Sequence, residues 1–314
     1  MPENHIWFEW ELPSSQFCWW EDLEPRGSRV IGYERSGVRQ DLIPGDRYLV
    51  VDEEPEHTPS KPAHAALDPT GIFRDFAALP HDCDAILAFA NRYGMLTDGN
   101  LLYSDAPGKD TQDGDIPGEP ATVWVEEISR MRFLNDFWQL VRTSDRRGLE
   151  KYIKWTRGSP DAIDLPRSGA FQFDDGQGIW GSRTVLAGAW VAKAPQQRDL
   201  LSAARYLLDS LVSEQLRGQI DAVLVHDSLG RPAVRFAPRD LRSALWLQFA
   251  RAIEGNKEFQ QCDHCHRWYE IGSREGGRTD KRFCSTACRA RNWRQSKAAQ
   301  QSPEKRASKK QKGG

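Results

Sequence analysis

Apolar residues recur at helical spacing in four stretches of the chain. Asp82 can cap a helix that puts Ile86, Leu87, Phe89, Ala90 and Tyr93 on one face and stops at Gly94. A long helix is expected from about Ala121 to Thr143, with Trp124, Ile128, Met131, Leu134 or Asn135, Trp138 and Val141 along its stripe. Between Asp199 and Leu216, Leu200, Ala203, Ala204, Leu207, Leu208, Leu211 and Val212 give the clearest amphipathic pattern, and LRSALWLQFARAIEGN adds a helix that ends near Gly255. A shorter helix is expected over GLEKYIKWT.

Elsewhere the apolar runs are short and broken by turn residues, as in strands. Residues 5 to 52 hold IWFEWEL, SRVIGYE and RYLVVD; residues 165 to 194 hold FQF, IW and TVLAGAWVA; QIDAVLVHDSLGRPAVRFAPRD reads as two strands about a turn from Ser228 to Arg231. EEPEHTPSKPAHA has little to bury and reads as a linker. SDAPGKDTQDGDIPGEP reads as a solvated acidic loop, since Asp110, Asp113 and Asp115 lack the offsets and the twelfth-position glutamate of a calcium loop. The resulting expectation is an α+β protein, a mixed helical and β body with no fixed-period repeat. It divides into a β-rich region with linker (1–62), a body (63–257), a cysteine module (258–296) and a disordered basic tail (297–314).

Composition sharpens this picture at one end of the chain. The 314 residues carry a net charge of -2, yet from Gly255 onward 15 Lys and Arg face 6 Asp and Glu, leaving 28 against 39 before it. An acidic body with a basic terminus suits an anionic partner of the terminus, or a solubilising surface. No run approaches 18 apolar residues and the first residues are acidic where a signal peptide is basic, so a cytoplasmic protein with no membrane contact is expected. No phosphate loop, nucleophile elbow, H-E-x-x-H or zinc-deaminase motif is present, and His226 beside Asp227 reads as exposed or structural; the expectation is not an enzyme, the alternative being a site assembled from distant residues of the body.

Four of the six cysteines stand in CDHCHRWYEIGSREGGRTDKRFCSTACRARNWRQ. Cys262-x2-Cys265 and Cys284-x3-Cys288 supply four thiolates at the spacing of a closed, structural zinc (Zn2+) site with no open position for chemistry. HRWYEIG and KRF suggest a hairpin after the first pair, and Ser285 can cap a helix that carries Cys288, which gives a treble-clef order of knuckle, hairpin and helix. His264 and His266 are expected beside the site, not in it; Cys18 and Cys83 read as ordinary buried thiols. Lys281, Arg282, Arg289, Arg291, Arg294 and Lys297 are the candidate nucleic-acid contacts, extended by PEKRASKKQKGG. Trp293 is expected beneath the zinc hairpin, with stacking on a base as the alternative.

CDHC, RFCSTACRARNWRQ and the helix before them resemble the C-terminal zinc module of bacterial CGNR-type zinc-finger proteins, which are regarded as stress-linked transcription regulators; AILAFANRYGML is similar to a segment of their N-terminal portion. The resemblance spans roughly residues 240 to 295 and is that of a divergent relative, with Arg289, Ala290 and Arg291 where the family has Gly-Asn-Arg. It implies DNA binding and transcription regulation; the acidic body is expected to sense a small ligand or protein partner. The alternative is a zinc module that serves as a structural or protein-interaction cap.

Overall fold

The computed structural model describes residues 11–12, 17–21, 30–33, 39–41, 47–51, 61–62, 71–97, 100–104, 116–155, 170–186, 199–226, 230–272 and 280–300. The chain is mixed α and β, as expected, with small antiparallel sheets set around helices. β1 (Glu11–Leu12) pairs with β6 (Lys61–Pro62), and the strands between them, β2 (Phe17–Glu21), β3 (Val30–Tyr33), β4 (Arg39–Asp41) and β5 (Arg47–Val51), enter a six-stranded sheet. They do not complete it alone. After helices α1 (Ile72–Ala77) and α2 (Cys83–Tyr93), strands β7 (Asn100–Ser104) and β8 (Ile116–Pro120) join to give the order β2-β5-β8-β7-β3-β4.

β8 corrects one expectation. Its sequence, IPGEP, reads as part of an acidic loop because proline and glycine are poor strand formers. It nevertheless lies between β5 and β7, pairing Gly118 with Val50 and Asn100. Asp110, Asp113 and Asp115 lie outside the described residues.

The helix α3 (Ala121–Arg142) starts directly from β8 and is the axis of the core. Trp124, Ile128, Met131, Leu134, Trp138 and Val141 are all buried, so Leu134 and not Asn135 takes the inner position. Each such side chain withdrawn from water contributes about 1.5–3 kcal/mol before entropy is counted. α3 packs on α1, β5 and β8, on the short α4 (Arg146–Leu149), and on α5 (Leu200–Leu216). The residues read as a helix over GLEKYIKWT instead leave α4 and form β9 (Ile153–Trp155), where Ile153 is buried and Lys154 exposed with strand alternation. β9 edges a sheet with β10 (Ala170–Asp174) and β11 (Ser182–Leu186).

The remaining elements follow in sequence. β12 (Ile220–His226) and β13 (Pro232–Pro238) form the expected hairpin. α6 (Leu241–Glu254) opens with a capping box in which Asp240 and Ser243 satisfy each other's backbone N–H, and it buries Trp246 and Phe249 against the core. β14 (Glu258–Gln261), β15 (Trp268–Ile271) and α7 (Thr286–Gln300) make up the cysteine module. Lys297 belongs to α7, so the helix runs past the expected start of the tail; residues 301–314 lie outside the described residues. Cys18 and Cys83 are half-buried, not enclosed. No described helix is long and apolar enough to cross a membrane.

Two buried carboxylates tie α3 to its surroundings. Glu119, 1% exposed, accepts from Leu96 N (2.9 Å), Thr97 N (2.6 Å), Thr97 Oγ1 (2.7 Å) and Trp124 Nε1 (2.9 Å). Burial pushes its carboxyl up to about 7, against the pull of these donors. Glu127 accepts from Trp246 Nε1 and pairs with Arg242 Nε at 3.1 Å, linking α3 to α6. Replacing Glu119 with Gln presents an amide N–H2 to donors and leaves at least one without a partner. The expected cost is about 1–3 kcal/mol in denaturant unfolding, with the fold retained.

Candidate metal centre and its basic helix

The knuckle and the hairpin are one unit. β14 pairs with β15 in register from Glu258↔Ile271 to Gln261↔Trp268, and Cys262 to Arg267 form the turn between them. Cys262 N donates to Arg267 O and His266 N to Cys262 O, each at 2.9 Å, and His266 takes the left-handed conformation (φ 56°) that lets the turn reverse. This changes the expected order, since the first cysteine pair lies inside the described hairpin instead of preceding it. The expected return strand over KRF is absent, since residues 281–283 are described and form no strand, and residues 273–279, which hold most of the expected turn, lie outside the described residues.

Of the second pair, Cys284 lies just before α7 and Cys288 within it. Ser285 Oγ accepts from Cys288 N at 3.1 Å, the cap expected from sequence, and places Cys288 in the first turn. Asp263 locks this end to the knuckle: its N–H donates to Arg282 O (3.1 Å), and its carboxylate accepts from Arg282 Nε (2.7 Å).

All four sulfurs lie within 4.8 Å of one another, with Cys265–Cys284 at 3.7 Å and Cys284–Cys288 at 3.4 Å. These separations are far beyond the ~2.05 Å of a disulfide. They fit a tetrahedron about one ion, whose edge is ~3.8 Å for a metal–sulfur bond of ~2.3 Å. The group can therefore hold a metal ion. The imidazoles of His264 and His266 do not belong to the group, as expected. Around the thiols, Tyr269, Ile271 and Phe283 form a small apolar core of the module's own.

The electrostatics of the sulfurs suit a cation. Burial raises the Cys262 thiol, but backbone N–H groups of Cys265, Cys284 and His264 aim at its sulfur and bring it down to about 6. Cys284 is pushed up to about 12, first by burial and then by sharing hydrogen bonds with the neighbouring sulfurs. Four thiolates are incompatible at such distances unless a bound dication deprotonates and neutralises them.

The module is fixed to the body along the hairpin. Phe259 meets Phe73 of α1 edge-on, ring centroids 5.3 Å apart, and the Arg74 guanidinium lies 4.8 Å from the Phe259 ring, 5.1 Å from Trp268 and 5.4 Å from Trp138 of α3. Arg74 is 7% exposed, and burial followed by the Arg142 charge lowers it to about 10, so it remains charged at neutral pH, held by aromatic faces. Gly71 is required at the contact, since a Cβ there would lie 2.7 Å from Trp268 O. Trp268 N donates to Asp75 Oδ1 at 3.2 Å, and Arg142 reaches across to Glu258 Oε1 at 2.5 Å. Sequence reasoning missed these residues because α1 has only six residues, too few to show a period.

The expected nucleic-acid contacts divide. Lys281 and Arg282 are exposed and also make contacts within the module: Lys281 O accepts from Tyr269 Oη, its Nζ lies 5.3 Å from the Tyr269 ring centroid, and Arg282 pairs with Asp263. Arg289, Arg291, Arg294 and Lys297 are exposed on α7, a helix without a carboxylate. Trp293 is 62% exposed, which corrects its expected place beneath the hairpin; Tyr269 fills that role.

Comparison with protein-family models, curated proteins and solved structures gives no match to this chain. The site stands on its geometry alone.

Docking of the module carries a pH signature. Burial raises Asp75 from 3.8 to about 6, its hydrogen bond from Trp268 N opposing the shift. A carboxyl raised in the folded state stabilises it fully below pH ~4 and loses that contribution as pH rises through about 6. Asp75→Asn keeps an acceptor for Trp268 N but cannot titrate. Relative to wild type, D75N should gain stability between pH ~4 and ~7 in parallel denaturant titrations; an unchanged difference across that window contradicts the assignment.

Proposed function

We propose that the chain is a zinc-containing nucleic-acid-binding protein, a DNA-binding regulator whose body senses a ligand or partner. The observation that carries this reading is α7 itself. It projects four cations and no acidic residue from a helix whose first turn is held by the four-cysteine group. Zinc is the ion of choice, since four thiolates in a closed tetrahedral set suit it and leave no position for substrate. The ion would fix the direction of α7 relative to the hairpin, while Arg289, Arg291, Arg294 and Lys297 would meet phosphates. The resemblance of CDHC and RFCSTACRARNWRQ to the CGNR-type zinc module supports the same reading, though Arg289 and Ala290 stand where that family has Gly and Asn.

A second reading, a zinc-held cap on the body, is favoured by the burial of Arg74 between α1, α3 and the hairpin. The two are geometrically compatible, because docking uses the hairpin and leaves the cations of α7 exposed.

Salt separates them. Duplex DNA affinity of the zinc-loaded protein should fall linearly on a log–log plot against salt, by ~0.9 for each phosphate neutralised. Replacing Arg289, Arg291 and Arg294 together with Ala should flatten that slope by roughly 2–3. Absence of any binding at low salt leaves only the cap.

A further inference from the structure

Among the large apolar side chains exposed on the described residues, Trp293 is the one set among cations. A buried role is closed to it. Cys288 faces the module core, and Arg289, Trp293 and Lys297 follow at steps of four along the helix, each ~6 Å further along its axis. They make a stripe turned away from Cys288, with Arg294 beside it. The Lys297 ammonium lies 4.9 Å from the Trp293 ring centroid, so one face of the indole is kept by a cation and not by packing.

Resting on the nucleic-acid reading above, we propose that this stripe is a single-strand site: Trp293 is a stacking platform for an unpaired base, with Arg289 and Lys297 on the flanking phosphates. An aromatic face between cations is the arrangement by which single-stranded nucleic acid is held. A closed duplex hides the faces of its bases within the stack, so it can use the cations of α7 but not the face of Trp293. On binding, the base replaces the Lys297 ammonium over the indole, and the ammonium moves to a phosphate, so the charge follows the strand. Stacking tolerates any base, so the site is selective for strandedness and not for sequence.

The test uses the full-length zinc-loaded protein and two fluorescein-labelled probes, an oligothymidylate and a duplex of equal length, followed by anisotropy. Trp293→Ala should weaken single-strand binding by about 10-fold or more, and duplex binding by less than about 2-fold. Trp293→Phe should retain most of the single-strand affinity. The salt slope should stay unchanged in W293A, since an indole releases no counterion, and fall in Arg289→Ala. Equal melting temperature and zinc content in W293A would show that the exposed side chain plays no part in folding. Equal weakening on both probes, or none on the single strand, overturns the inference. A wild-type protein that binds the duplex but not the single strand overturns it while leaving the proposed function standing; binding to neither overturns both.

Discussion

Four thiol groups within 4.8 Å of one another set the terms for the C-terminal part of this protein. The segments they join, a hairpin of two four-residue strands and the first turn of a helix, are each too small to hold a fold. Around the sulfurs there is only Tyr269, Ile271 and Phe283 to bury. A shared dication would remove the repulsion between thiolates and fix two chain segments at one point. The direction of α7, and with it the placing of every exposed cation on that helix, would then depend on that point.

The module is also not a bead on a string. Its hairpin leans on α1, and the interface holds a buried arginine among four aromatic rings. A charge in that position is costly to expose to an apolar surface and is tolerated because ring faces on both sides of the interface meet it. Phe73 and Trp138 come from the body, Phe259 and Trp268 from the module, so neither partner completes the cage alone. α3 then carries this contact inward through Trp124 and Glu119 to the six-stranded sheet. The hairpin is thus seated on the body through α1 and α3.

Long periodic helices and paired cysteines were legible in the chain before any coordinates. α3, α5 and α6 lie close to where their apolar spacing puts them, because fourteen or more residues average out local exceptions. The cysteine group was legible because metal ligation imposes spacing directly on sequence. β8 was hidden by its own prolines, and β9 by lysines and aromatics that suit either period. Trp293 was misplaced for a different reason: sequence shows that a small module needs an aromatic, but not which one, and Tyr269 two residues before the end of β15 supplies it. The cage around Arg74 has contributors spread from residue 73 to 268 and left no local trace.

Metal content read together with order in the C-terminal module is the most direct measurement of this account. Native mass spectrometry of the chain should show about one zinc ion, lost in Cys284→Ser, with hydrogen exchange then accelerating across 258–300 and spreading to α1 through the Arg74 contact. A protein free of metal whose hairpin and α7 keep full exchange protection would contradict it.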